Sequence, residues 1–177
     1  MARLRSMTVS AAVAAVVLLF ALGIPLFNKA VNPSRDISGQ LFELGSVSFI
    51  APHGALLRPG QFRPEAGQIE LTVGTADVVI STAGPYDYSA DYLASQLERL
   101  MEARPSVRMT EERACVAANG LAGEGSNFVT ENGTGFVCAF VADRVRSEVT
   151  VSAVTLDNQT AQRIDQLLST LTVKGGL

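Results

Sequence analysis

The sequence predicts an α+β protein: one N-terminal transmembrane helix followed by a single domain of antiparallel sheet packed with two helices. Three observations carry that prediction. Thr8 to Phe27 runs for twenty residues without a charged side chain, the signature of a bilayer span. Gln68 to Val73 and Gly135 to Val141 alternate apolar and polar residues with the period of a half-buried strand. Ser89 to Ala103 and the stretch from Asp157 instead space their apolar residues as amphipathic helices do.

The apolar run comes first. At about 1.5 Å of rise per residue, twenty helical residues span roughly 30 Å, the thickness of a hydrocarbon core. Arg3 and Arg5 precede the run and no acid occurs before Asp36, so the positive flank keeps the N-terminus cytoplasmic and the rest is exported. The expected organisation is a cytoplasmic segment at 1–7, a span at 8–27, a tether at 28–43 and an extracytoplasmic domain at 44–174. A cleaved secretory signal is the alternative, with Ala21-Leu22-Gly23 as the small-residue site. Against it, apolar residues continue through Ile24, Leu26 and Phe27. No cysteine lies near the run, which excludes lipoprotein processing.

Composition narrows the partners. The 177-residue chain has a formal charge of −3, and from Asn28 onward seventeen acids face twelve Lys and Arg. That balance argues against nucleic acid, which requires a basic face, and against adhesion to anionic lipid. Arginine outnumbers lysine twelve to two, a bias of GC-rich bacterial genomes.

Along the chain, Asn28 to Gly39 is polar with Pro33 and reads as tether. Ser46 to Ile50 alternates as a strand that ends in the turn Ala51-Pro52-His53-Gly54. Leu56 to Gly67 is broken by Pro59, Gly60 and Pro64 and reads as surface loop. Gln68 to Val73 and Asp77 to Thr82 are strands either side of Gly74-Thr75. The first helix places Leu93, Leu97, Leu100 and Met101 in one stripe and stops at Arg104-Pro105. Val107 to Leu156 reads as an antiparallel meander with turn dipeptides Asn119-Gly120 and Asn132-Gly133. Asp157 is the N-cap of a second helix with Ala161, Ile164, Leu167, Leu168 and Leu171 on one side.

In an oxidising compartment, Cys115 and Cys138 are expected to pair, the alternative being two separate buried thiols. A tight hairpin at Asn119-Gly120 conflicts with the pairing. It would leave the cysteines on strands flanking a middle one, about 9.6 Å apart, whereas a disulfide needs Cα atoms within roughly 7 Å. The expectation is therefore that residues 114–125 form a wide, glycine-rich loop folded back towards Gly135 to Val141.

A strand running into a proline turn (SVSFIAPHG), two further strands, a helix, a meander and a C-terminal helix resembles the element order of the PsbP/Mog1-like α/β sandwich, over roughly Leu44 to Lys174. Where that fold usually has an aromatic after the proline turn, Ala55-Leu56-Leu57 follows here. The anchor, tether and arginine bias also resemble small membrane-anchored envelope proteins of mycobacteria and related actinobacteria. The resemblance implies a binding or assembly module in place of an enzyme.

No catalytic constellation, metal site or cofactor motif is expected. His53 is the sole histidine and sits in a turn, so a zinc site lacks its four ligands. The carboxylate pairs Asp87/Asp91 and Glu111/Glu112 read as solvated, and Gly120 to Gly125 lacks the Lys and the helix of a phosphate-binding loop. One cluster stands out. Tyr86, Tyr88 and Tyr92, all the tyrosines of the chain, fall within seven residues. They read either as packing where the helix enters the core or as a surface for a partner or ligand. The functional expectation is a non-catalytic envelope module that binds another envelope protein or complex, with a small-ligand or lipid-binding domain as the alternative.

Overall fold

The computed structural model describes residues 33–174. The expected span at 8–27 lies outside them, as do residues 28–32 of the tether. Among the described residues no helix is long and apolar enough to cross a membrane.

Folded structure starts earlier than the tether reading allows. β1 (Arg35–Asp36) and all but the last residue of β2 (Leu41–Leu44) lie inside residues 28–43, with Ile37 and Phe42 buried. Serine, glycine and glutamine around one isoleucine carry no period, and only pairing of β1 with β4 and of β2 with β3 makes strand of 35–36 and 41–44. β3 (Val47–Ile50) matches expectation. The stretch read as surface loop contains β4 (Ala55–Leu57), β5 (Phe62–Arg63) and a 3-10 turn at Pro64–Ala66. These strands are too short to leave an alternating pattern in the sequence.

β6 (Gln68–Val73) and β7 (Ala76–Ala83) form a hairpin that buries Ile69, Leu71, Val73, Val78 and Ile80. Helix α1 (Ala90–Glu102) follows, its Ser89 N-cap accepting the backbone N–H of Tyr92. β8 (Val107–Val116), β9 (Ala122–Thr130), β10 (Gly133–Ala142) and β11 (Val145–Ala153) are the expected meander. Helix α2 (Asn158–Thr170) leads directly into β12 (Thr172–Val173), which pairs with β3 and stops the helix by drawing the chain extended at Leu171.

All pairings are antiparallel. A nine-stranded sheet runs β1-β4-β6-β7-β11-β10-β9-β8 with β5 also on β6, and a three-stranded sheet runs β12-β3-β2. The main core lies between the two sheets and α2, where Leu44, Phe49, Ile80, Phe140, Ile164 and Leu167 are fully buried. Burying a side chain of that size contributes about 1.5–3 kcal/mol. A second cluster on the opposite face of the large sheet packs Leu93 and Ala94 of α1 on Ala139. β10 therefore has apolar residues on both faces. Ser126 in β9 donates a hydrogen bond to Glu98 of α1 and fixes the helix along the sheet. The apolar stripe of α1 is narrower than its sequence implies: Leu93 is buried and Leu97 and Met101 are half-buried, while Leu100 is 68% exposed.

Two turns differ from expectation. The β9–β10 turn is Glu131-Asn132, with Gly133 already paired to Thr130. The β10–β11 turn is Asp143-Arg144, both with positive φ, a conformation glycine and asparagine usually supply, which hid it from a composition-based reading.

The largest correction concerns the bridge. Cys115 and Cys138 are bonded, as expected, with Cα atoms 6.0 Å apart. The wide loop is absent. β8 and β9 stay paired down to Val116 and Ala122, and β9 pairs with β10 from Glu124 to Thr130, so the bridge spans two strands across the one between them. Gly123 opposes Cys115 and Gly125 opposes Cys138. A Cβ on Gly125 would stand 3.1 Å from the Cys115 sulfur and 2.1 Å from the Val137 carbonyl oxygen. Gly125 leaves the middle strand bare where the sulfurs cross it, and Gly123 leaves room for the Phe140 ring. Flat-sheet spacing overstated the separation.

Candidate functional site

The three tyrosines converge where β7 passes into α1. Tyr88 and Tyr92, one helical turn apart, stack with ring centroids at 4.8 Å, and Tyr86 meets Tyr88 edge-on at 5.6 Å. Tyr88 is 61% exposed and Tyr92 45% exposed, so they form a surface ledge. Tyr86 is half-buried and serves as its footing. The two sequence readings thus divide among the residues, Tyr86 packing against the α1 cluster while Tyr88 and Tyr92 face outward.

Polar groups hold the ledge from beneath. The Arg146 guanidinium lies 5.3 Å from the centre of the Tyr86 ring and 3.7 Å from a Glu148 oxygen. The Ser81 hydroxyl donates to Glu148 at 3.3 Å. Burial pushes the Tyr86 phenol up from its ordinary pKa, against the pull of Arg146, and its hydroxyl has no hydrogen-bond partner among the described residues. Arg144, at the turn with positive φ, grips Asp87 through two hydrogen bonds at 2.6 and 3.2 Å, and its carbonyl accepts the Tyr86 N–H at 2.7 Å. The β10–β11 turn thereby positions the segment that carries the tyrosines.

On the other side of Arg144 lies an open groove of about 570 Å³, lined among others by Leu44, Gly45, Pro64, Gly67, Gly84 and Val145. Its walls are turns and small side chains. The remaining sequence candidates do not join the site: His53 is exposed in a turn, Glu111 and Glu112 are exposed side by side on β8, and of the Asp87/Asp91 pair only Asp87 is engaged, by Arg144. The segment 120–125 is largely strand β9. No cluster of three potential metal ligands occurs among the described residues. Arg144 and Arg146 are the residues sequence reading missed. Their only local signal was the -Asp-Arg-Val-Arg- spacing, which says nothing about Asp87 and Tyr86, some sixty residues away.

In comparison with known proteins, no family profile and no curated protein matches the chain. Among solved structures it is similar to the solution structure of cyanobacterial PsbP (CyanoP) from Synechocystis sp., at 8% identity and a TM-score of 0.52, over 77% of this chain and 93% of that one. A crystal structure from Bacteroides thetaiotaomicron is matched at 14% identity and a TM-score of 0.41, over 77% of this chain and 49% of that one. At such identities the likeness is one of architecture: the chain from Arg35 onward is an α+β domain with a PsbP-like fold.

Proposed function

We propose that this protein is a non-catalytic, membrane-anchored module on the extracytoplasmic side of a bacterial cell envelope, and that it binds another envelope protein through the ledge of Tyr88 and Tyr92. The observation that carries the reading is the exposure of two stacked tyrosines on a rigid footing. Tyrosine combines large apolar area with a polar tip and few rotatable bonds, which makes it a frequent energetic centre of interfaces. The uncharged run at 8–27 and the disulfide support the membrane and compartment parts of the reading. The arginine excess fits a GC-rich actinobacterial host. The groove beside Arg144 favours the second reading, a small ligand or lipid held next to the ledge.

The test is crosslinking and pull-down of the full-length chain from its native membrane, run beside a Tyr88→Ala/Tyr92→Ala variant. The wild type should capture a defined envelope protein that the variant loses by at least about tenfold, as expected for interface hot spots, with thermal midpoints equal. Equal capture by both, or no specific protein with either, refutes the reading.

A further inference from the structure

We propose that the edge of the domain formed by β1 and residues 58–66 is a lipid-headgroup surface, seated on the bilayer that residues 8–27 occupy; the inference rests on the anchor reading above. The first support is length. Residues 28–34 are all that separate the apolar run from Arg35, and seven extended residues reach about 25 Å. That length is an upper limit on how far Arg35 can stand from the end of the apolar run.

The second support is pairing. Arg35 pairs with Leu57, which sets the start of β1 beside Arg58 and the loop that follows. Arg35, Arg58 and Arg63 are exposed, and among the described residues none of them forms an ion pair. A guanidinium fork matches phosphate oxygens, the chemistry every phospholipid headgroup offers.

The third support is charge distribution. Residues 33–36 and 58–66 hold three cations, Arg35, Arg58 and Arg63, against Asp36 and Glu65. The other eight Lys and Arg from residue 33 onward face fifteen carboxylates. An acidic chain therefore gathers a net positive edge where its tether begins. An anionic membrane attracts that edge and repels the remainder, which orients the domain. Phe62 adds an apolar contact of the kind found at membrane interfaces. Its ring meets Phe42 edge-on at 5.4 Å, fixing it in place, yet 38% of the residue stays exposed.

The chain has no tryptophan, so Phe62→Trp installs a sole reporter. The full-length variant is reconstituted into phosphatidylglycerol-containing liposomes, with or without lipids brominated on the upper acyl chain. Leu100→Trp, on the 68% exposed Leu100 of α1, is the control. Contact at the headgroup boundary should quench Phe62→Trp by about half or more and Leu100→Trp by about a tenth or less. Adding Arg58→Gln and Arg63→Gln to Phe62→Trp should bring its quenching down to the control level. Equal quenching at the two reporters, or quenching indifferent to the arginines, overturns the inference while leaving the anchor intact. A chain that does not float with the liposomes refutes the anchor, and the inference with it. Far-UV circular dichroism melts that match the wild type confirm that each variant is folded.

Discussion

Reducing the Cys115–Cys138 bridge should lower stability by a predictable amount. The bridge joins residues 23 apart. For a closed loop of that length the chain-entropy relation gives about 3.4 kcal/mol of lost stabilisation at 25 °C. Unfolding entropy of about 2.1 cal/mol/K per residue over roughly 140 residues converts that to a fall of about 12 °C in Tm. The assay is a circular dichroism melt of the full-length chain in detergent, with and without a phosphine reductant, which leaves both sulfurs in place. Because the bridge crosses β9, amide hydrogen exchange gives a second readout. In the oxidised protein the alternate amides of residues 113–116 that point at β9 should be protected by that pairing. After reduction β8, an edge strand held by only one neighbour, should lose protection before β10, which is flanked on both sides. A drop in Tm under about 3 °C would refute the entropic account. Fast exchange at these β9-facing amides in the oxidised protein would refute the crossed-strand geometry and restore the wide loop.

Two further outcomes follow from single residues. Asp157 caps α2, and hydrogen bonds from the Thr160 backbone N–H and hydroxyl hold its carboxyl below the usual aspartate range. A lowered folded pKa stabilises above the unfolded value and loses that stabilisation as pH falls through the folded one. Asp157→Ala should therefore lower Tm at about pH 7, with the gap to wild type starting to narrow near pH 4 and lost only at lower pH; a gap unchanged across that range counts against the assignment. Ser147 is fully buried and its hydroxyl has no partner among the described residues. Ser147→Ala removes an unpaired polar group and should stabilise by about 1 kcal/mol, or about 3 °C. A comparable loss of Tm would mean that an ordered water satisfies the hydroxyl.

Local pattern made much of the fold legible. β6, with Ile69, Leu71 and Val73 inward, and α2, with Ile164, Leu167 and Leu168 inward, follow from period alone because each buries one face against a large partner. Asp157 as a cap and Cys115–Cys138 as a pair were readable for similar reasons: one depends on neighbours three residues away, the other on there being two cysteines in the whole sequence. β1, β4, β5 and β12 were not readable. With two or three residues each they carry no period, and they exist only because another strand presents its edge to them.

The same division runs through the candidate site. Three tyrosines in seven residues are visible in the sequence, but their roles are not. Tyr86 turns inward while Tyr88 and Tyr92 stack in the open, because Arg144 and Arg146 on the β10–β11 hairpin reach back across the sheet to Asp87 and Tyr86. A contact between residues 57 positions apart depends on strand order, which places β11 beside β7. The amino-acid sequence alone determines the uncharged run at 8–27, the helical and strand periods, the cysteine pair and the tyrosine cluster, all of them properties of residues near one another in the chain or of simple counts. Tertiary packing decides which strand β8 and β10 close over, which tyrosines face solvent, and where the arginines gather, because each of these is a distance between segments that nothing in the chain's local chemistry constrains.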